Sequence, residues 1–149
     1  MKNIELKVKK VRQDTNIEMP RYMSEGASGL DLFITIDKDI ILKHLERALV
    51  PTGISVSIPP GFEAQIRPRS GLAIKHGITL LNSPGTIDSD YRGEINLVVI
   101  NLGNESFTLK NGMRLAQMVI SKYVKIKTTL VEDIDNTKRG IGGFGHTGI

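Results

Sequence analysis

Along the first eleven residues apolar and charged side chains take turns: Ile4, Leu6 and Val8 alternate with Glu5, Lys7 and Lys9. A period of two puts alternate side chains on opposite faces, so this segment predicts a half-buried strand with a basic outer face. The same period returns at Leu30, Leu32, Ile34 and Ile36, at Ile54, Val56 and Ile58, and at Phe62, Ala64 and Ile66. Ile95 to Ile100 is nearly continuous in apolar residues, which predicts a strand covered on both faces, and Met113 to Val124 predicts a further long extended segment. Pro59-Pro60-Gly61, Gly103-Asn104 and Asn111-Gly112 carry turn chemistry between these runs. Helical signals are few. Ser70 to Lys75 predicts one or two turns with Ser70 as the capping residue, whereas Lys43 to Leu49 is short, has alternating neighbours and is read as an extended or loop segment. Many short strands separated by Gly and Pro turns predict an all-β fold, a barrel or jelly roll with one short helix.

Composition narrows the picture. A chain of 149 residues that is 40% hydrophobic and 24% charged fits one globular domain. It has no tryptophan and only 5% aromatic residues, so Ile, Leu and Val must build the core. The absence of cysteine excludes disulfides, thiol catalysis and thiolate metal sites. No stretch approaches the roughly 18 apolar residues of a membrane span, and the first residues lack the apolar run of a secretory signal, so the cytoplasm is the expected compartment. A net charge of +4 is compatible with anionic partners or with plain solubility. Basic residues are spread along the chain without a tryptophan stacking platform, which argues against a nucleic-acid binder.

The last fifteen residues differ from the rest: Gly140, Gly142, Gly143, Gly145 and Gly148 leave little to bury. They predict a domain over residues 1–134 followed by a flexible arm over 135–149. Arg139, Phe144 and Thr147 among the glycines leave two readings open, a plain tail and a binding arm that orders on a ligand.

Two constellations carry chemistry. Arg67-Pro68-Arg69-Ser70-Gly71-Leu72-Ala73 sets two guanidinium groups and a hydroxyl where a strand gives way to a helix start, a setting suited to an oxyanion such as phosphate. Solvated arginines beside a capping serine are the alternative. Gly85-Thr86-Ile87-Asp88-Ser89-Asp90-Tyr91-Arg92-Gly93 gathers two carboxylates, a phenol and a guanidinium, with Asn82 just upstream. An Asn amide pairs a donor with an acceptor as a pyrimidine edge does, a Tyr ring offers a flat face, and a carboxylate can orient or deprotonate a water. A polar hairpin with structural aspartates is the alternative.

Taken in order, Ala27-Ser28-Gly29-Leu30-Asp31-Leu32, Arg67 to Ala73, Gly85 to Ile95, Arg114-Leu115-Ala116-Gln117-Met118 and Arg139 to Gly148 resemble the five motifs of the homotrimeric dUTPase family. The resemblance implies hydrolysis of dUTP to dUMP and pyrophosphate, which limits uracil incorporation into DNA and supplies dUMP for dTMP synthesis. It also implies Mg2+ on the triphosphate and a β jelly roll in a homotrimer whose three sites are each covered by an arm from a neighbouring chain. By the same resemblance Asp88 orients the attacking water. Asn82 and the backbone of Thr86 and Ile87 read uracil, Tyr91 lies under the deoxyribose, and Asn96 is a further nucleotide contact. Arg69, Ser70 and Gly71 form the phosphate-binding turn. Gln117 lies near the phosphates and the metal's waters, and Asp31 supports an arginine or a metal-bound water. Arg139 and the tail form the arm, with Phe144 on uracil and His146 and Thr147 at the phosphates. His146 stands where the family usually has serine; histidine can still donate to phosphate and gains positive charge on protonation. His44 and His76 lack metal-ligand company. Two rivals share the fold: a regulatory dUTPase-like binding protein, and dCTP deaminase. The deaminase family carries a serine where Gly71 stands and its catalytic glutamate where Val98 stands.

Overall fold

The computed structural model describes residues 4–12, 16–144 and 146. Ten strands and one helix follow one another as β1 (Lys7–Lys10), β2 (Leu30–Phe33), β3 (Ile40–Leu42), β4 (Arg47–Ser57), β5 (Phe62–Pro68), α1 (Ser70–His76), β6 (Ile78–Leu80), β7 (Gly85–Ile87), β8 (Glu94–Asn101), β9 (Phe107–Leu109) and β10 (Arg114–Lys122). One four-stranded sheet has the order β1-β4-β8-β6, a second the order β2-β10-β5-β7, and β3 pairs with β9 alone. Every pairing is antiparallel. The strands are those of an all-β fold, but the sheets remain separate ladders and do not close into the expected barrel. The ladder from β2 ends at Phe33, so the alternating run continues past its strand: Ile34 and Ile36 stay buried in a segment without strand pairing.

One apolar cluster unites the inner faces of both large sheets, with Val50, Leu97 and Val99 from one and Leu32, Ala64 and Met118 from the other. Each is at most 1% exposed, and closing such faces against each other supplies the main favourable term in folding. Polar groups inside this core are paired: buried Thr35 donates its hydroxyl to the Thr52 carbonyl at 3.1 Å, and Thr52 donates to the Ile95 carbonyl at 2.7 Å. Lys43 to Glu46 forms the turn into β4, with the Glu46 carboxylate accepting from the Lys43 N–H at 2.9 Å. Among the described residues no helix is long and apolar enough to cross a membrane.

The helix is where expectation needs correcting. Ser70 is its first helical residue, and Arg69 occupies the cap with φ −94° and ψ 127° and no side-chain cap bond. The β5 ladder runs on to Pro68, opposite Ala116, and the Arg69 carbonyl already accepts from the Leu72 and Ala73 N–H groups at 3.1 Å each, so the helix begins one residue earlier than a cap at Ser70 requires. At the other end the Gly77 N–H returns to the Ala73 and Leu72 carbonyls. After Lys122 the chain leaves the sheets, and residues 124–141 are exposed without helix or strand.

Candidate active site

Four side chains from three segments meet at the end of β5. Asp31 faces outward on β2 opposite Gln117 of β10, because their flanking neighbours Leu32 and Met118 point into the core. The Asp31 carboxylate, 13% exposed, uses one oxygen, Oδ2, for two guanidinium groups: Arg69 Nε at 3.4 Å and Arg114 Nη1 at 3.3 Å. Arg69 Nη1 also donates to the Arg114 carbonyl at 2.9 Å. Two positive charges against one negative leave this trio cationic, and partial exposure screens each pair without cancelling that surplus. Gln117 is fixed beside it, its Nε2 donating to the Pro68 carbonyl at 3.1 Å. Gly29 makes room for that amide: a Cβ there would stand 2.5 Å from Gln117 Oε1. Ser70 and Gly71 are exposed immediately beyond Arg69. The cluster can receive an anion with several oxygens, since two guanidinium groups stand beside the exposed residues Ser70 and Gly71.

The second cluster is built on the short strand β7, which pairs with β5 through Ile87 with Ala64, Thr86 with Gln65 and Gly85 with Ile66. Asn82, Thr86, Ile87 and Asn96 line a narrow cleft of about 40 Å³ floored by Ile66 and Leu97. Amide side chains over an apolar floor can read the polar edge of a flat ring while burying its face. Beyond the cleft the chain turns: the Tyr91 N–H donates to the Asp88 carbonyl at 3.1 Å, and the Tyr91 hydroxyl donates to the Glu94 carbonyl at 3.0 Å. Gly93 lies against the Tyr91 ring, where any Cβ would collide with it. Asn96 Nδ2 donates to the same Glu94 carbonyl at 3.2 Å, so Tyr91 and Asn96 are tied to one backbone oxygen. Asp88 is exposed and opens with Glu63, Asp90, Tyr123 and Lys125 onto a cleft of about 380 Å³. A wider cleft of about 1040 Å³ lies beside β1, lined by Ile4, Ile58, Pro59 and Phe62 among others, and includes none of the residues expected to hold nucleotide.

The two clusters do not meet within one chain. Ile87 pairs with Ala64, so Asp88 falls beside Glu63 at the start of β5, while Arg69 stands six residues further along. At about 3.3 Å per residue the two ends are ~20 Å apart. The arm residues stand apart from both. Arg139 Nε donates to the Gly142 carbonyl at 2.8 Å, the His146 ring closes over Gly142, and the His146 N–H donates to the Gly143 carbonyl at 3.1 Å. Phe144 is fully exposed. Thr147 lies outside the described residues. Arg114 is the functional candidate for which sequence reasoning named no role; its motif was visible, but its contact with Asp31 depends on how β10 is phased.

Among the described residues no three His, Cys, Asp or Glu side chains gather into a metal-sized group. The donors present, a carboxylate oxygen held by arginines and the Gln117 amide, fit a cation carried on phosphate oxygens that keeps its waters.

A deoxyuridine 5'-triphosphate nucleotidohydrolase of Thermoanaerobacter sp. is 56% identical over 147 residues, covering 99% of both chains. Its counterpart in Fusobacterium nucleatum is 53% identical over 148 residues, again with 99% of each covered. Among solved structures, the Staphylococcus bacteriophage 80alpha dUTPase with dUPNHPP superposes with a TM-score of 0.86 at 26% identity, covering 97% of this chain and 99% of that one. The dUTPase family model matches residues 15–148, so the chain belongs to the dUTPase family.

Proposed function

We infer that the protein hydrolyses dUTP to dUMP and pyrophosphate by attack of water on the α-phosphorus. The observation that carries this reading is the end-to-end correspondence, at 56% identity, with a relative whose name states dUTP as its substrate. The geometry supports it with a cationic phosphate cluster, a cleft with amide side chains and a carboxylate beside that cleft.

In this reading uracil enters the cleft between Asn82 and Asn96, with the backbone of Thr86 and Ile87 completing its hydrogen bonds. Tyr91 underlies the deoxyribose, its ring held by the bond to Glu94, and a ribose 2′-hydroxyl would collide with it. Asp88 aligns a water against the α-phosphorus and accepts its proton, a role worth about 10²–10⁴-fold in rate. Arg69, Ser70 and Gly71 hold the phosphates and stabilise the charge that builds on their oxygens. Mg2+ on the triphosphate supplies further charge neutralisation when bound. Asp31 and Gln117 are the residues of this chain that would hold its waters. Arg139, Phe144, His146 and Thr147 close over the bound nucleotide and exclude solvent.

The ~20 Å between Asp88 and Arg69 supports sharing of each site between chains, since both groups must reach one triphosphate. The assembly proposed is the homotrimer of the family, with 124–141 reaching a neighbour. The test is pyrophosphate release from dUTP, dTTP, dCTP and UTP, with and without Mg2+, alongside an ammonia assay. Rapid Mg2+-dependent release from dUTP alone is expected. Ammonia from dCTP would replace this reading with deamination, and tight dUTP binding without turnover would replace it with regulation.

A further inference from the structure

The pairing of β10 with β2 contains one irregularity, and it falls at the phosphate cluster. Gln117 is opposite Asp31 and Ala116 opposite Leu32, but the next step along β2, to Phe33, corresponds to two steps along β10, to Arg114. Leu115 is the extra residue of a β-bulge, and two consecutive side chains, Leu115 and Ala116, are buried at 2% and 0% exposure. Regular alternation would put Arg114 on the inner face with Ala116 and Met118. The bulge reverses the phase, so Arg114 emerges on the face that carries Gln117 and Asp31. Bulges of this kind re-aim a side chain.

We propose that Arg114 is a positioning residue for phosphate recognition, aimed by the bulge at Leu115. Two contacts define how it acts. Its Nη1 shares Asp31 Oδ2 with Arg69, so the carboxylate does not neutralise Arg69 alone and the trio keeps a net positive charge. Its backbone carbonyl accepts from Arg69 Nη1, which together with Asp31 fixes the plane of the Arg69 guanidinium. A planar donor group held at both Nε and Nη1 presents its remaining N–H groups in a defined direction, which suits contact with phosphate oxygens. Arg114 thus contributes to the grip on the phosphate chain through Arg69 without being the group that touches it.

The inference rests on the reading that Arg69 binds the phosphates, and the experiment separates the two. Binding of dUpNHpp and of dUMP is measured by calorimetry for the wild type, Arg114→Met, Arg114→Lys and Arg69→Gln, with Tm and sedimentation recorded at one chain concentration. For Arg114→Met the expected result is a loss of about tenfold in dUpNHpp affinity with dUMP affinity within about twofold, and Arg114→Lys recovers most of that loss because it restores the charge. Wild-type dUpNHpp affinity in Arg114→Met, or equal loss for dUMP and dUpNHpp, overturns the proposal. So does failure of the lysine variant to recover affinity while its Tm and sedimentation match the wild type. If Arg69→Gln itself keeps full dUpNHpp affinity, the phosphate assignment of Arg69 falls too; if Arg69→Gln loses affinity while Arg114→Met does not, only the inference about Arg114 falls.

Discussion

Asp88 is exposed in this structure and its carboxylate makes no salt bridge among the described residues, so its proposed work is chemical before it is structural. Asp88→Asn is therefore expected to fold with an unchanged Tm and to bind dUpNHpp within about threefold of the wild type, while kcat falls by about 10²–10⁴-fold. A kcat near the wild-type value would remove Asp88 from the mechanism. Asn82, Asp88 and Tyr91 stand out as candidates in the sequence because they lie within one short stretch, bounded by Gly85 and Gly93 over most of its length. What they touch is not legible there. That Tyr91 and Asn96 share the Glu94 carbonyl follows from the turn geometry after β7, and no pattern of residue types announces it. Ser70 shows the opposite failure: its side chain signalled a cap, but the Arg69 carbonyl already accepts the first helical bonds, so the helix begins at Ser70 and takes it into the first turn.

At the scale of elements, α1 is seated from behind. The Leu102 N–H donates to the Gly77 carbonyl at 2.9 Å, and Gly77 and Gly103 meet backbone to backbone, so the turn after β8 carries the helix whose start borders Arg69. Asn101 organises that turn. Fully buried, it donates from Nδ2 to the Leu42 and Glu105 carbonyls at 2.8 Å each and accepts from the Gly103 N–H at 2.9 Å. Asn101→Leu keeps the volume but strands these three groups, and leaving a buried polar group unpaired costs about 1–3 kcal/mol. The expected loss is ~3 kcal/mol of stability, read from the denaturant midpoint at fixed chain concentration, with a rise in KM for dUTP as the seat of α1 loosens. A midpoint equal to the wild type would show that water or a shifted turn satisfies those groups. Strands were the most legible elements, since β4, β5, β8 and β10 follow the alternating or continuous apolar runs of the sequence. The bulge in β10 was invisible for a physical reason: Leu115-Ala116 reads as an ordinary apolar pair, and only pairing with Asp31 and Leu32 shows that the phase has slipped.

At the scale of the molecule, the exposed segment from Val124 to Ile141 and the distance between the two clusters bear on the same question. Val124, Ile126, Leu130 and Ile134 are each at least 80% exposed, an apolar stripe that none of the described residues covers. Deleting residues 139–149 removes the arm but leaves this stripe, so sedimentation and Tm are expected to hold while turnover falls sharply; loss of folding would make the tail structural. The stronger test uses the ~20 Å between Asp88 and Arg69. Asp88→Asn and Arg69→Gln chains are each expected to be nearly inactive by themselves. Denatured together in equal amounts and refolded, they form mixed oligomers in which some sites draw Asp88 from one chain and Arg69 from another. Random assembly with each site spanning two chains gives roughly a quarter of sites both groups intact. Recovered activity near that fraction of the wild type is the expected result. If each site belonged to a single chain, every site would still lack one group, and mixing would recover nothing.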